Sequence, residues 1–89
     1  MASRVLRRGR VVDTSGQPVA GALVSVVWGT APTPEIGRRT DQAGAFQVAL
    51  PDGRFRLRAK VPDGRSGEVE VQGGAGGEIE IRVDGPARP

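Results

Sequence analysis

The fold is decided by a segment in which basic and apolar residues alternate without interruption: Arg54-Phe55-Arg56-Leu57-Arg58-Ala59-Lys60-Val61. Successive side chains of a β-strand point to opposite faces, so a strand here places the basic side chains on one face and the apolar ones on the other. A helical period would mix the two sets. The segment therefore predicts a half-buried β-strand.

The same alternation recurs along the chain, and no stretch sustains a helical period. The predicted strands are residues 5–12, 22–28, 37–40, 45–50, 54–61, 68–72 and 78–83. The intervening segments are rich in Asp, Gly and Pro, so the 14 glycines and 7 prolines are explained as turn residues. Seven short strands with turns at such regular spacing predict an all-β sandwich or barrel formed as one domain.

If consecutive strands reverse direction, the connections form two groups. One end is predicted to carry residues 13–18, 41–44 and 62–66, and the other residues 29–37, 51–53 and 73–77. A hairpin register symmetric about Gly64 sets Lys60 opposite Glu68 and Ala59 opposite Val69 on the other face. It also sets Arg58 opposite Glu70. The basic strand is thus predicted to form one side of a cross-strand charge ladder.

The chain lacks the residue types on which most catalysis depends. It has no His, Cys or Tyr, and Lys60 is its only lysine. Without these side chains there is no imidazole base near neutral pH, no thiolate nucleophile and no usual zinc ligand. We therefore predict that the chain is not an enzyme and carries no cofactor.

Three carboxylates could in principle gather at one end and bind Ca²⁺, namely those of Asp13, Asp41 and Asp63. Each lies in an Asp- and Gly-containing turn, where an Asp side chain accepts hydrogen bonds from the backbone of the turn. Turn formation explains all three, and we predict no metal site.

The sequence pI of about 11.0 and the net charge of +3 suggest nucleic-acid binding as an alternative. Proteins that bind single-stranded nucleic acid also use exposed aromatic side chains for stacking. This chain has only three aromatic residues, Trp28, Phe46 and Phe55. The shortage of aromatics argues against nucleic acid, and equally against the aromatic platforms of a carbohydrate-binding sandwich.

Two segments hold the candidate partner-binding residues. Trp28 ends a predicted strand on the same face as Val24 and Val26, so it either caps the core or anchors a partner. Ile36, Arg38 and Arg39 end or follow the long connection after Trp28 and could flank such an anchor, although solvated charge also explains the arginines.

The other segment is the basic N-terminus, where Arg4, Arg7, Arg8 and Arg10 occur without an acid. Its candidate partner-binding residues are Arg4, Arg7 and Arg8. This segment is either solvated charge or a contact for an acidic partner surface. Arg7 occupies an inward position of the first predicted strand, so the start of that strand could instead be an arm.

Three stretches resemble the carboxypeptidase regulatory-like family in the expected order: residues 9–26 (GRVVDTSGQPVAGALVSV), 40–46 (TDQAGAF) and 50–57 (LPDGRFRL). The resemblance implies a seven-stranded, transthyretin-like or Ig-like β-sandwich. It also implies an accessory module, since such domains are usually appended to peptidases, outer-membrane receptors, adhesins or secretion-spike proteins and are not known to be catalytic. The chain departs from the pattern at Arg7 and in standing without the larger protein that such modules serve.

The predicted organisation is a basic arm or strand start at residues 1–8, a sandwich at 9–84 and a flexible tail at 85–89. The predicted function is a non-catalytic interaction or adaptor module, with ligand, carbohydrate or nucleic-acid binding as alternatives. The N-terminus lacks the apolar stretch of a signal peptide, and no apolar run reaches the length of a membrane span. The sequence as written thus predicts a cytoplasmic protein, an argument that would not apply to a domain of a longer chain.

Overall fold

The computed structural model describes residues 5–31, 37–74 and 77–84, which form two β-sheets. The strands are β1 (Val5–Val12), β2 (Leu23–Gly29), β3 (Arg38–Arg39), β4 (Ala45–Leu50), β5 (Gly53–Lys60), β6 (Ser66–Gly73) and β7 (Ile79–Arg82). One sheet has the order β4-β1-β7 and the other β3-β2-β5-β6. All pairs are antiparallel except β1 and β7. The predicted seven-stranded all-β sandwich is confirmed.

The core lies between the two sheets. From β5, Phe55, Leu57 and Ala59 point inward and are completely buried, while the basic residues between them point outward. From the opposite sheet, Val11 and Ile81 are buried against this row. The alternation in the sequence of β5 is therefore the alternation between core and solvent.

Among the described residues, no helix is long and apolar enough to cross a membrane.

The described turns group at two ends of the sandwich as predicted, except for the connection of residues 29–37. At one end, the Val11 N–H donates to the Gly44 carbonyl oxygen (2.8 Å), and this bond joins the turn of residues 41–44 to the end of β1. At the other end, the Thr30 N–H donates to the Arg54 carbonyl oxygen (2.9 Å). The long connection that begins at Thr30 does not stay at that end, because Gly37 lies against Leu23 at the start of β2.

The β5–β6 hairpin has a different register from the predicted one. Arg58 lies opposite Glu68, and Leu57 lies opposite Val69, so the pairing is displaced by two residues. The cause is the loop, in which the Val61 N–H donates to the Arg65 carbonyl oxygen (2.9 Å) and only residues 62–64 lie between them. A displacement of two residues leaves every side chain on its predicted face, which is why the faces alone could not reveal the error.

The observed register gives Glu68 the central place in the charge ladder. Its carboxylate lies 2.7 Å from Arg58 Nη2 and 4.0 Å from Arg56 Nε. Glu70 lies opposite Arg56, without an ion pair in the described part of the chain. The charge ladder is therefore centred on one carboxylate, where the sequence predicted two separate pairs.

We expect a double-mutant cycle of Arg58→Gln with Glu68→Gln to give a coupling free energy of about 0.5 kcal/mol, because the pair is well aligned but partly exposed. The matched cycle of Arg58→Gln with Glu70→Gln should give a coupling near zero. Urea denaturation at low salt measures both. A larger coupling for Arg58 with Glu70 than with Glu68 would contradict the register.

A β-bulge changes the direction of the side chains at the end of β2. Val26 lies opposite Leu57, whereas Trp28 lies opposite Arg56, so one extra residue has been inserted between the two pairs. The insertion moves Trp28 to the outer face and turns Gly29 toward the buried Phe55. The prediction that Trp28 shares the inward face of Val24 and Val26 is therefore wrong.

Candidate functional site

Four arginines from two distant parts of the sequence line one depression on the surface. Arg8 and Arg10 come from β1, and Arg38 and Arg39 form β3. The depression is open to solvent and has a volume of about 500 Å³. We call the surface formed by these four residues the arginine groove.

The pairing of β1 with β4 fixes one side of the arginine groove. Arg8 lies opposite Gln47 and Arg10 opposite Ala45. Arg8 and Arg10 are exposed because β1 alternates between the two faces of its sheet, and Arg7, Gly9 and Val11 occupy the buried inner face. The backbone of Gly9 passes directly over the ring of the buried Phe46, so a side chain at Gly9 would strike that ring.

The other side of the arginine groove is held in place by the buried Thr40. The Thr40 hydroxyl donates to the Val19 carbonyl oxygen (2.7 Å) and accepts from the Ala22 N–H (2.9 Å). The Thr40 N–H also donates to the Ala22 carbonyl oxygen (2.9 Å). These bonds tie the end of β3 to the corner before β2. The arrangement fixes the short segment Arg38–Arg39 although β3 has only two residues.

The arginine groove is electropositive. Its lining contains four arginines and two acids, Asp41 and Glu78. Oδ1 of Asp41 already accepts from the N–H groups of Ala43 and Ala45, both at 2.9 Å. In the residues that the structure describes, the four arginines form no ion pair, and Arg39 donates to the Gly21 carbonyl oxygen (3.1 Å). All four arginines are exposed, and within the described part of the chain most of their hydrogen-bond donors have no protein acceptor.

The aspartates at the end of the sandwich near the arginine groove belong to their turns. Hydrogen bonds from the Gln17 and Ser15 N–H groups lower the pKa of Asp13, and a hydrogen bond from the Arg65 N–H lowers the pKa of Asp63. Across residues 5–31, 37–74 and 77–84 there is no group of three or more acids that could hold a metal ion. These carboxylates act as turn caps.

Trp28 is a second exposed feature, on the outer face of the other sheet. Its side chain is 45% exposed and lies opposite Arg56 in the β2–β5 pairing. Neighbouring Val27, at the bulge, is also exposed. Of the two readings left open by the sequence, the structure therefore places Trp28 on the surface. It does not join the arginine groove, which is formed on β1, β3 and β4.

Arg7 is a buried residue and so contributes little to the exposed surface. It is 7% exposed and points inward from β1. Its Nε donates to the Gly77 carbonyl oxygen (3.0 Å), and its Nη1 donates to the Gln72 carbonyl oxygen (2.8 Å). Gln72 lies in β6 and Gly77 follows that strand, so Arg7 links β1 of one sheet to the end of β6 in the other. An apolar residue would leave those carbonyl groups without these donors, which explains the charge at an inward position.

The structure thus brings together Arg8, Arg38 and Arg39 from the predicted residues and separates Trp28 and Arg7 from them. Arg4 and Ile36 lie outside the described residues. Arg10 is not among the residues predicted for the site, and nothing in the sequence pointed to Thr40. Arg10 could have been found from its alternation with Arg8. The role of Thr40 depends on the corner before β2, which forms only in the folded chain.

The two-sheet β-sandwich defines a class of small all-β domain, and the sequence comparison makes the assignment specific. The model of the carboxypeptidase regulatory-like domain matches residues 8–84, and the chain belongs to this family. The resemblance predicted from the sequence is confirmed.

Among solved structures, the chain is similar to a DUF3823 family protein from Parabacteroides merdae, with a TM-score of 0.68 and 23% sequence identity. The match covers 93% of this chain and 47% of that one, so the chain spans about half the length of the solved protein. At this identity the similarity shows the fold alone. No curated protein is significantly similar to the chain.

Proposed function

We propose that this chain is a non-catalytic interaction module that binds an acidic protein surface through the arginine groove. The observation that carries the proposal is the convergence of Arg8, Arg10, Arg38 and Arg39 on one depression. Arginine presents several fixed donors and is well suited to bidentate contacts with carboxylates. A partner carboxylate would therefore find both charge and hydrogen-bond donors in the arginine groove.

The family and the composition support a binding role over a catalytic one. The carboxypeptidase regulatory-like domain is named for regulation. The chain contains no His, Cys or Tyr, which removes the common general bases and nucleophiles. The arginines of the arginine groove would attract the carboxylates of an acidic partner and orient them through fixed hydrogen-bond donors. A docking surface needs both properties.

The experiment uses a fluorescent, end-blocked peptide of about eight residues in which glutamate alternates with threonine, long enough to extend along β4. Binding is measured by fluorescence anisotropy at several salt concentrations. The double variant Arg8→Gln/Arg38→Gln is expected to weaken binding about tenfold, because each lost charge contact contributes about 0.5–1 kcal/mol. The affinity of the unmodified protein should fall as salt rises.

The matched control is the double variant Arg54→Gln/Lys60→Gln. It removes the same charge from exposed positions on the other sheet, and its affinity should stay within about twofold of the unmodified protein. Equal losses for the two double variants would show attraction to net charge alone and would contradict the proposal.

Nucleic acid serves as the competing ligand, because Trp28 and Arg56 form an exposed aromatic and basic pair on the outer face of β2 and β5. Single-stranded DNA of equal charge is titrated under the same conditions. Tighter binding of DNA than of the peptide, lost in Trp28→Ala but kept in Arg8→Gln/Arg38→Gln, would overturn the proposal in favour of nucleic-acid binding.

A further inference from the structure

β4 has a strand partner on one side only in the part of the chain that the structure describes. The Val11 N–H donates to the Gly44 carbonyl oxygen, and this bond determines which residues of β4 are hydrogen-bonded to β1. They are Phe46, Val48 and Leu50, whose backbone N–H and C=O groups point toward β1. The backbone groups of the alternate residues must therefore point away from β1, toward the free edge.

Ala45, the first of these alternate residues, is already satisfied. Its N–H donates to Asp41 Oδ1 (2.9 Å), and its carbonyl oxygen accepts from the Asp41 N–H (3.1 Å). Among the described residues, no such bond reaches Gln47 or Ala49 at this edge. With respect to the described residues, two consecutive pairing positions are thus open to an added strand.

The other three edge strands of the described sheets carry features that discourage strand addition. β3 has only two residues and both are arginines, β6 carries Glu68 and Glu70, and β7 has four residues with Glu80 and Arg82. Short length and charge are the usual protections of a sheet edge. β4 is six residues long, Ala45–Leu50, and contains neither a charge nor a proline. It is the least protected edge of the described structure.

The free edge of β4 is continuous with the arginine groove, since Ala45 and Gln47 line the groove beside Arg8 and Arg38. This proximity decides between possible occupants. A second copy pairing β4 with β4 would bring two arginine grooves together and is opposed by charge repulsion. An acidic segment would be attracted to the same place.

We propose that the partner segment is an extended, acidic stretch that adds to the sheet as a strand along the free edge of β4. Its backbone pairs with Gln47 and Ala49, and its carboxylates contact the arginine groove. The inference rests on the proposed function and adds the mode of binding. Backbone pairing supplies the affinity for an extended chain, and the arginines select an acidic one.

The first test measures hydrogen exchange of backbone amides by NMR, with the glutamate–threonine peptide as the ligand. Saturating peptide should slow the exchange of the Gln47 and Ala49 amides by at least about tenfold, because both become hydrogen-bonded. The amides of Glu68 and Glu70, on another sheet edge, serve as the internal control and should not change.

The second test blocks the edge with Ala49→Pro. Proline is tolerated on an edge strand where the N–H faces solvent, and Ala49 does not line the arginine groove. The variant should lose peptide affinity at least about tenfold, since proline removes a donor and obstructs pairing. If the variant does not fold, two N-methylated peptides replace it, one methylated at the glutamate amides and the other at the threonine amides. Alternate amides of an added strand point toward β4 and away from it. One of the two peptides should therefore bind at least about tenfold more weakly, and the other should bind like the unmodified peptide.

The outcomes separate the two proposals. Peptide binding that depends on Arg8 and Arg38, without slower exchange at Gln47 and Ala49, overturns strand addition and leaves the proposed function standing. Absence of peptide binding overturns both. A free protein that is dimeric, with Gln47 and Ala49 already protected, overturns strand addition by a partner in favour of a second copy.

Discussion

Replacing Gly44 with alanine is expected to lower the free energy of unfolding by about 3 kcal/mol, whereas the same change at Gly16 should cost about 1 kcal/mol. The two glycines occupy equivalent places. The Gly16 N–H donates to the Asp13 carbonyl oxygen (3.0 Å), and the Gly44 N–H donates to the Asp41 carbonyl oxygen (2.9 Å). Their φ angles of 85° and 75° both lie in the left-handed region, which alanine adopts only at a cost.

The surroundings distinguish the two positions. A Cβ on Gly16 would meet nothing within 4 Å, but one on Gly44 would lie 2.6 Å from the Val11 carbonyl oxygen and 3.0 Å from the Val19 nitrogen. Those two atoms are hydrogen-bonded to each other (2.9 Å), so neither can move without breaking that bond. The additional cost at Gly44 is therefore steric, and the cost at Gly16 is conformational alone.

Urea denaturation followed by circular dichroism measures both variants under the same conditions. Gly16→Ala is the matched control, because it changes the same turn type without the contact. Equal destabilisation by the two substitutions would show that the Asp41 turn does not pack closely on the end of β1.

Truncation of Phe55 to alanine is expected to lower the free energy of unfolding by about 4 kcal/mol, while truncation of Trp28 should cost less than about 1 kcal/mol. Phe55 is completely buried, whereas Trp28 is 45% exposed. The two residues occupy neighbouring pairs of the β2–β5 ladder, since Gly29 lies opposite Phe55 and Trp28 opposite Arg56. The larger of the two aromatic side chains is thus expected to matter much less for stability.

The same denaturation experiment compares these two variants, and iodide quenching of Trp28 fluorescence in the unmodified protein gives an independent measure of exposure. Trp28 is the only tryptophan, so its signal is unambiguous. A loss of several kcal/mol in Trp28→Ala, together with protection from iodide, would contradict the bulge and return Trp28 to the core.

The strands themselves were predictable because alternation and turn residues are local properties. β1 and β4 have their predicted limits, and each of the seven predicted strands is present. Side-chain direction was also correct wherever pairing is regular. At Trp28 it was not, because one residue inserted at Val27 reverses every side chain that follows, and no residue type in Val26-Val27-Trp28 signals the insertion.

The predicted register of the β5–β6 hairpin was wrong for a related reason. A register symmetric about Gly64 and one symmetric about Asp63 both set charged residues opposite charged residues and apolar residues opposite apolar ones. The alternation in the sequence therefore does not distinguish the two registers. The choice is made by the hydrogen bond from the Val61 N–H to Arg65, which sets the length of the loop. Register here is decided by turn geometry that the alternation does not encode.

The arginine groove was predictable only in its parts. The basic character of Arg8, Arg38 and Arg39 is visible in the sequence, but their proximity depends on tertiary structure. β4 pairs with β1, and β3 pairs with the start of β2 and lies beside β4. Residues distant in the sequence meet because two sheets are stacked, and a pattern read along the chain contains no information about which strands become neighbours.

The parallel pairing of β1 and β7 has a consequence for how the module can be joined to other proteins. Val5 lies at the end of the sandwich where β4 finishes, and Val83 lies at the opposite end, where its N–H donates to Val12 (2.9 Å). Many domains have their termini close together and can be inserted into a loop of a host. Here the start of β1 and the end of β7 lie about 25 Å apart, at opposite ends of the sandwich. Segments joined to these two strands would therefore start from opposite ends of the sandwich, and the module would lie between the sequences that it connects.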